Sequence, residues 1–159
     1  MKRIRKILLL CLALVPLNIY AQNYNQERIA LTNFLVRMYE NAPFEGVRAV
    51  DDYEQKYLIS VLTLDPAKYG GNESTMFRVA GVKAMSQASR FFNGSKISTD
   101  LIIRTNEKRD GNSDTEMIET INENSLGFVK SLELLKNFSL PNGHMAFIYF
   151  TPIKNQQSD

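Results

Sequence analysis

Apolar positions along this chain follow two spacings. Between Gln22 and Asn41 they recur at three and four: Leu31, Leu35 and Met38, with Phe34 beside them, while Arg28, Asn33 and Arg37 fall on the other side of the turn. That spacing predicts an amphipathic helix. Ala42-Pro43 ends it, because proline disfavours helical backbone in the residue before it. Phe44 to Gln55 reads as a mixed connector holding Gly46 and an acidic turn at Asp51-Asp52. Lys56 to Leu64 is dense in large apolar and β-branched residues and reads as a strand, stopped by Asp65-Pro66. A loop with Gly70-Gly71 follows. Ser74 to Asn93 then carries Phe77, Ala80, Gly81, Ala84, Ala88 and Phe91 on one helical face, with Ser74 as N-cap and Gly94 as stop. The centre of that face is small, so the helix axis can approach a sheet closely.

The second half of the chain is less regular. Ser95 to Thr105, with Ile97, Leu101, Ile102 and Ile103, reads as a strand, and Asn106 to Ser113 as a charged loop. Thr115 to Glu123 alternates partly, with Met117 opposite Ile118 and Ile121. Gly127 to Phe138 fits two patterns. Phe128, Leu132, Leu134 and Phe138 suit a strand, and Val129, Leu132 and Leu135 suit a helix. The sequence beyond it favours the strand: Leu140-Pro141-Asn142-Gly143 matches a type I turn, and the apolar run from His144 to Thr151 completes a hairpin. Lys154 to Asp159 is a polar tail.

One helical crossover followed by a meander predicts an α+β domain, with a mixed, mostly antiparallel sheet of four to five strands and helices packed on one face. The organisation read from this order is a leader at 1–21, an N-terminal helix and connector at 22–55, a core domain at 56–153 and the tail at 154–159.

Charge changes the picture at the start of the chain. Lys2, Arg3, Arg5 and Lys6 precede an apolar run of 11 residues, Ile7 to Leu17, and a short end that closes on Ala21 before Gln22. This is the three-part pattern of a secretory signal, cleaved between Ala21 and Gln22. The run is little more than half of the ~20 apolar residues that a spanning helix needs, so no integral membrane segment is expected after cleavage. The sole cysteine, Cys11, lies inside the apolar run behind Leu10, an unsuitable context for lipidation. Residues 22–159 hold 15 basic and 17 acidic side chains. The excess of positive charge in the whole chain therefore belongs to the leader. The remainder has no dense Lys/Arg run of the kind that nucleic acid requires. It also has no cysteine, hence no disulfide and no thiolate metal site. In an exported domain of this size that points to a bacterial periplasm, and the Ala21-Gln22 junction resembles those of exported Bacteroidetes proteins.

From Phe77 to Ser98 the sequence reads Phe-Arg-Val-Ala-Gly-Val-Lys-Ala-Met-Ser-Gln-Ala-Ser-Arg-Phe-Phe-Asn-Gly-Ser-Lys-Ile-Ser. This segment resembles the core of the LPP20-like envelope proteins of bacteria, and the resemblance extends over Tyr57 to Ile153. It implies a strand, an alanine-rich helix, a further strand and a terminal hairpin. It also implies an exported envelope protein without enzymatic chemistry. The pattern consists of alanines and apolar positions and carries no site residues across. The family's usual lipid-attachment box is missing here.

Candidate chemistry is sparse. His144 is the only histidine, and no Gly-x-Ser-x-Gly elbow accompanies it. One histidine without cysteine does not make a zinc site, which wants three or four N or S ligands. Asp51, Asp52 and Glu54 form one acidic group, and Asp110, Asp114 and Glu116 near Gly111 another; neither has the alternate spacing of a calcium loop. Gly70-Gly71 lacks the Gly-Lys-Ser/Thr of a phosphate loop. Asn72, Asn93 and Asn137 each open an Asn-x-Ser triplet, which matters only in a eukaryotic secretory route. The expectation is therefore no catalytic, cofactor or metal site. The domain reads as non-enzymatic and periplasmic or envelope-associated, binding a protein or an envelope component. Two alternatives stay open: a small-ligand carrier, and a hydrolase in which two of these carboxylates converge in a cleft.

Overall fold

The computed structural model describes residues 26–52, 55–105 and 111–153. The leader with its Ala21-Gln22 junction, the polar tail, Glu54 and Asp110 lie outside the described residues. The chain divides into two compact units, Met1–Asn41 and Ala42–Asp159. In the first, helix α1 spans 26–41. Leu31, Leu35 and Tyr39 are buried along one face at four-residue steps, and Ile29 is exposed.

The second unit is built on one five-stranded sheet. Its strands are β1 (Gly46–Asp52), β2 (Gln55–Leu64), β3 (Ile102–Arg104), β4 (Glu133–Ser139) and β5 (Met145–Pro152). The order across the sheet is β3-β1-β2-β5-β4. The pairs β1–β2, β2–β5 and β4–β5 are antiparallel, and β1–β3 is parallel. The helices are α2 (Glu73–Gly94), α3 (Gly111–Glu123) and α4 (Ser125–Ser131), with 3-10 turns at Pro66–Tyr69 and Thr99–Leu101. This is the α+β class expected from the order of elements, a mixed and mostly antiparallel sheet with helices on a face.

Strand alternation sorts the core. Val47 and Ala49 of β1, Leu58, Leu62 and Leu64 of β2, and Phe147 and Tyr149 of β5 share one cluster with Met76, Ala80, Ala84 and Ala88 of α2. Met117 and Ile121 of α3 and Val129 of α4 join it. The intervening residues Val50, Ile59, Val61, Ile148 and Phe150 are buried as well, so both faces of the central strands exclude water.

Helix α2 sits on the sheet through its alanines, all three of which are fully buried. The approach is close enough for Ser60 Oγ of β2 to donate to the Ala84 carbonyl at 3.2 Å. Gln87 Nε2 donates to Ser60 Oγ and to the Val61 carbonyl, both at 3.0 Å. Opposite these bonds, Gly81 faces Tyr149, and a Cβ there would stand 3.5 Å from its hydroxyl oxygen. Phe77 packs edge-on against Phe147, with ring centroids 5.4 Å apart.

Several boundaries differ from the sequence reading. The connector Phe44 to Gln55 contains strand β1, whose last residues are Asp51 and Asp52; they are not a turn. Its apolar residues are buried on both faces, Val47 and Ala49 in the cluster under the helices and Val50 on the other side. The strand expected over Ser95–Thr105 shrinks to Ile102–Arg104, preceded by a 3-10 turn. Thr115 to Glu123 belongs to helix α3, because Met117 and Ile121, four apart, are the buried pair. Gly127 to Phe138 divides at Leu132 into the end of α4 and strand β4. The N-cap of α2 is Asn72, whose Oδ1 accepts from Thr75 N at 2.9 Å, and not Ser74. The expected hairpin turn is present: Gly143 N donates to the Leu140 carbonyl at 3.0 Å. Gly143 takes φ +80°, a conformation that disfavours side chains with a Cβ.

Candidate functional site

Three of the candidate carboxylates, Asp51, Asp52 and Asp114, lie near one end of the sheet, where β1, β2 and β3 run side by side. Register pairing sets Asp51 of β1 opposite Lys56 of β2 and Arg104 of β3. All three belong to the face that packs on the helices, so they form a row Lys56–Asp51–Arg104 across three strands. Arg104 Nη2 then pairs with Asp114 Oδ2 in the first turn of α3. This ion pair is largely shielded, with side-chain exposures of 19% and 13%. Burial pushes the Asp51 carboxyl above its ordinary range, with Asp114 and Asp52 adding to the rise, while Lys56 and Arg104 hold it down.

Asp52, next in sequence, is turned to the opposite face by strand alternation. There its Oδ1 accepts from Thr105 Oγ1 at 2.6 Å, and the Asp51 carbonyl accepts from Thr105 N at 3.1 Å. Of the sequence candidates, Asp51 and Asp114 therefore come near each other, Asp52 is directed away, and Glu116 is exposed on α3. Arg104, which organises the group, had no sequence signal beyond its place at the end of an apolar run. Chemically the arrangement is a charge-balanced tie between strand and helix. Among the described residues, no group of three His, Cys, Asp or Glu side chains is arranged to hold a metal ion.

His144 stands just past the hairpin turn. Its backbone N–H donates to Asn142 Oδ1 at 3.0 Å, and its carbonyl accepts from Leu140 N at 2.8 Å. It is placed by the turn and is half-buried.

A shallow cleft of about 110 Å³ opens beside the start of α2, lined by Pro66, Tyr69, Gly71, Asn72, Glu73, Met76 and Met145. Ligand pockets are commonly about 300–1,000 Å³, so this cleft admits a side chain or a few waters rather than a metabolite. The Gly70-Gly71 loop lies at its rim and serves the 3-10 turn: Gly70 takes φ +58° and donates to the Ala67 carbonyl at 3.2 Å. Among the described residues, no helix is long and apolar enough to cross a membrane.

Comparison with protein-family models, with curated proteins and with solved structures finds no match to this chain.

Proposed function

We propose that this chain is exported and acts without catalysis, as a domain of the periplasm or outer envelope of a Gram-negative bacterium that binds a protein or an envelope component. The observation that carries this reading is the start of the chain: four cations before residue 7, an apolar run of 11 residues and a small residue at Ala21. The resemblance of Tyr57 to Ile153 to LPP20-like envelope proteins points the same way. The carboxylates that a hydrolase would use favour it too. Asp114 is engaged by Arg104 and Asp52 by Thr105, and Asp51 and Asp52 face opposite sides of the sheet. The test is fractionation of the producing cell, followed by cross-linking of the exported protein and mass spectrometry of what it captures from envelope extract. The reading expects the protein in the periplasmic or envelope fraction with a reproducible partner. Recovery in the cytoplasm overturns it.

A further inference from the structure

The pair Asn-Gly occurs twice in the chain, at Asn93-Gly94 and at Asn142-Gly143. All four residues are exposed. In such a pair the backbone nitrogen of the glycine can attack the carbonyl carbon of the asparagine side chain, because the glycine has no Cβ to stand in the way. The two pairs share this covalent chemistry. A difference between them in the folded protein therefore comes from how the fold holds the reacting atoms.

The hairpin holds Asn142 in place for this attack. Its Oδ1 accepts from His144 N at 3.0 Å, which pins the carboxamide alongside Gly143, the residue between the two so joined. The same N–H points at the oxygen on which negative charge develops when the carbonyl is attacked, the role of a backbone donor in an oxyanion hole. The nucleophile is restrained by one bond, from Gly143 N to the Leu140 carbonyl at 3.0 Å. That bond closes a turn in which Pro141, Asn142 and Gly143 are all exposed. Nothing lies within 4 Å of the place a Cβ would take at Gly143, so a ring has room to form. Asn93 differs on these points. Gly94 is the last residue of α2, and Ser95 N donates to the Phe91 carbonyl at 2.6 Å, closing the helical turn around it. Freeing the Gly94 nitrogen therefore means unwinding hydrogen-bonded helix. Among the described residues, no backbone donor holds the Asn93 carboxamide.

We propose that the Asn142-Gly143 turn is a site of spontaneous covalent modification, at which Gly143 N displaces ammonia from the Asn142 side chain and water then opens the ring to aspartate or isoaspartate. In the first step the bond from Gly143 N to Asn142 Cγ forms and the Cγ–Nδ2 bond breaks. The proton of the Gly143 amide leaves with Nδ2 as ammonia. In the second step water adds to one of the two imide carbonyls. Release of Cγ from the nitrogen gives aspartate, and release of the Asn142 main-chain carbonyl gives isoaspartate. Either product places a new carboxylate two residues before His144. Isoaspartate also lengthens the main chain by a methylene inside the turn that joins β4 to β5. The bonds from Gly143 N to Leu140 O and from Leu140 N to His144 O, at 3.0 and 2.8 Å, then no longer fit one geometry. The change loosens the sheet at its edge strand β4.

The test is incubation of the purified, folded protein at mildly alkaline pH, with samples digested and read by mass spectrometry over days. Isoaspartate in the peptides is counted by enzymatic methylation. The expected result is conversion at Asn142 about tenfold faster than at Asn93, or ~1.4 kcal/mol in barrier. In guanidinium chloride, where neither the turn nor the helix remains, the two rates should converge. Asn142→Gln, whose longer side chain would have to close a six-membered ring, should lose the conversion at 142 and keep the parent's rate at Asn93. Absence of conversion at Asn142 in the folded protein overturns the proposal, as does conversion at Asn93 that matches or exceeds it. A preference for Asn142 that persists undiminished in denaturant also overturns it, since the cause would then lie in the sequence and not in the turn.

Discussion

Ala84→Leu should destabilise the domain more than any surface change on the same helix. Ala84 has no exposed surface and lies between Ala80 and Ala88, equally buried, where α2 rests on β2. Leucine would place an isopropyl group in space already filled by the sheet. Either α2 lifts or neighbouring side chains leave their rotamers, at about 1–3 kcal/mol. Lifting the helix also breaks the bond from Ser60 Oγ to the Ala84 carbonyl and strains those from Gln87, adding ~1 kcal/mol. For a domain of this size each kcal/mol moves the melting temperature by roughly 3–6 °C, out of a total stability of ~5–15 kcal/mol. A thermal melt by circular dichroism at neutral pH reads the change directly. Lys83→Leu is the control, since Lys83 is exposed on the flank of the same helix. If Ala84→Leu melts with the parent, the close seating of α2 on the sheet is refuted.

Three further perturbations probe other parts of the structure. Arg104→Ala should cost roughly 1–3 kcal/mol in denaturant unfolding, between the values for exposed and fully buried pairs, because it leaves Asp114 shielded without its cation; no change would mean that α3 is not tied to β3 by this pair. Asp51→Asn should stabilise the domain at neutral pH. Burial raises the Asp51 pKa in the folded state, so its contribution to stability is fully present below the unfolded pKa and is lost as pH rises through the folded one. The advantage of the variant should accordingly fade as pH falls through that window, and an advantage independent of pH would contradict the cause. Gln87→Ala should cost about 1–3 kcal/mol in the same unfolding assay, since it removes both bonds to β2, and a neutral result would mean that α2 does not need this anchor.

The parts of the fold that were legible in the sequence are those whose signal is local. Lys56 to Leu64 is apolar enough to be a buried central strand, the small-residue face of α2 repeats over its full length, and Pro141 and Gly143 mark the hairpin turn. Strand β1 was hidden because Asp51-Asp52 at its end looks like a turn, and the cost of those acids is met by partners far along the chain, Arg104 and Thr105. Helix α3 carried a readable signal in the four-residue step from Met117 to Ile121, obscured by Ile118. At Gly127 to Phe138 both periodicities were real, because a helix gives way to a strand at Leu132. The row Lys56–Asp51–Arg104 could not be foreseen, since it depends on the parallel pairing of β1 with β3, which no local pattern encodes.

Export is the claim on which the functional reading stands, and the intact mass of the protein recovered from the producing cells tests it most directly. The account predicts a chain that begins at Gln22, as glutamine or its cyclised form, with the 21 residues before it removed. A mass that retains Met1, or that carries a lipid on Cys11, would contradict it.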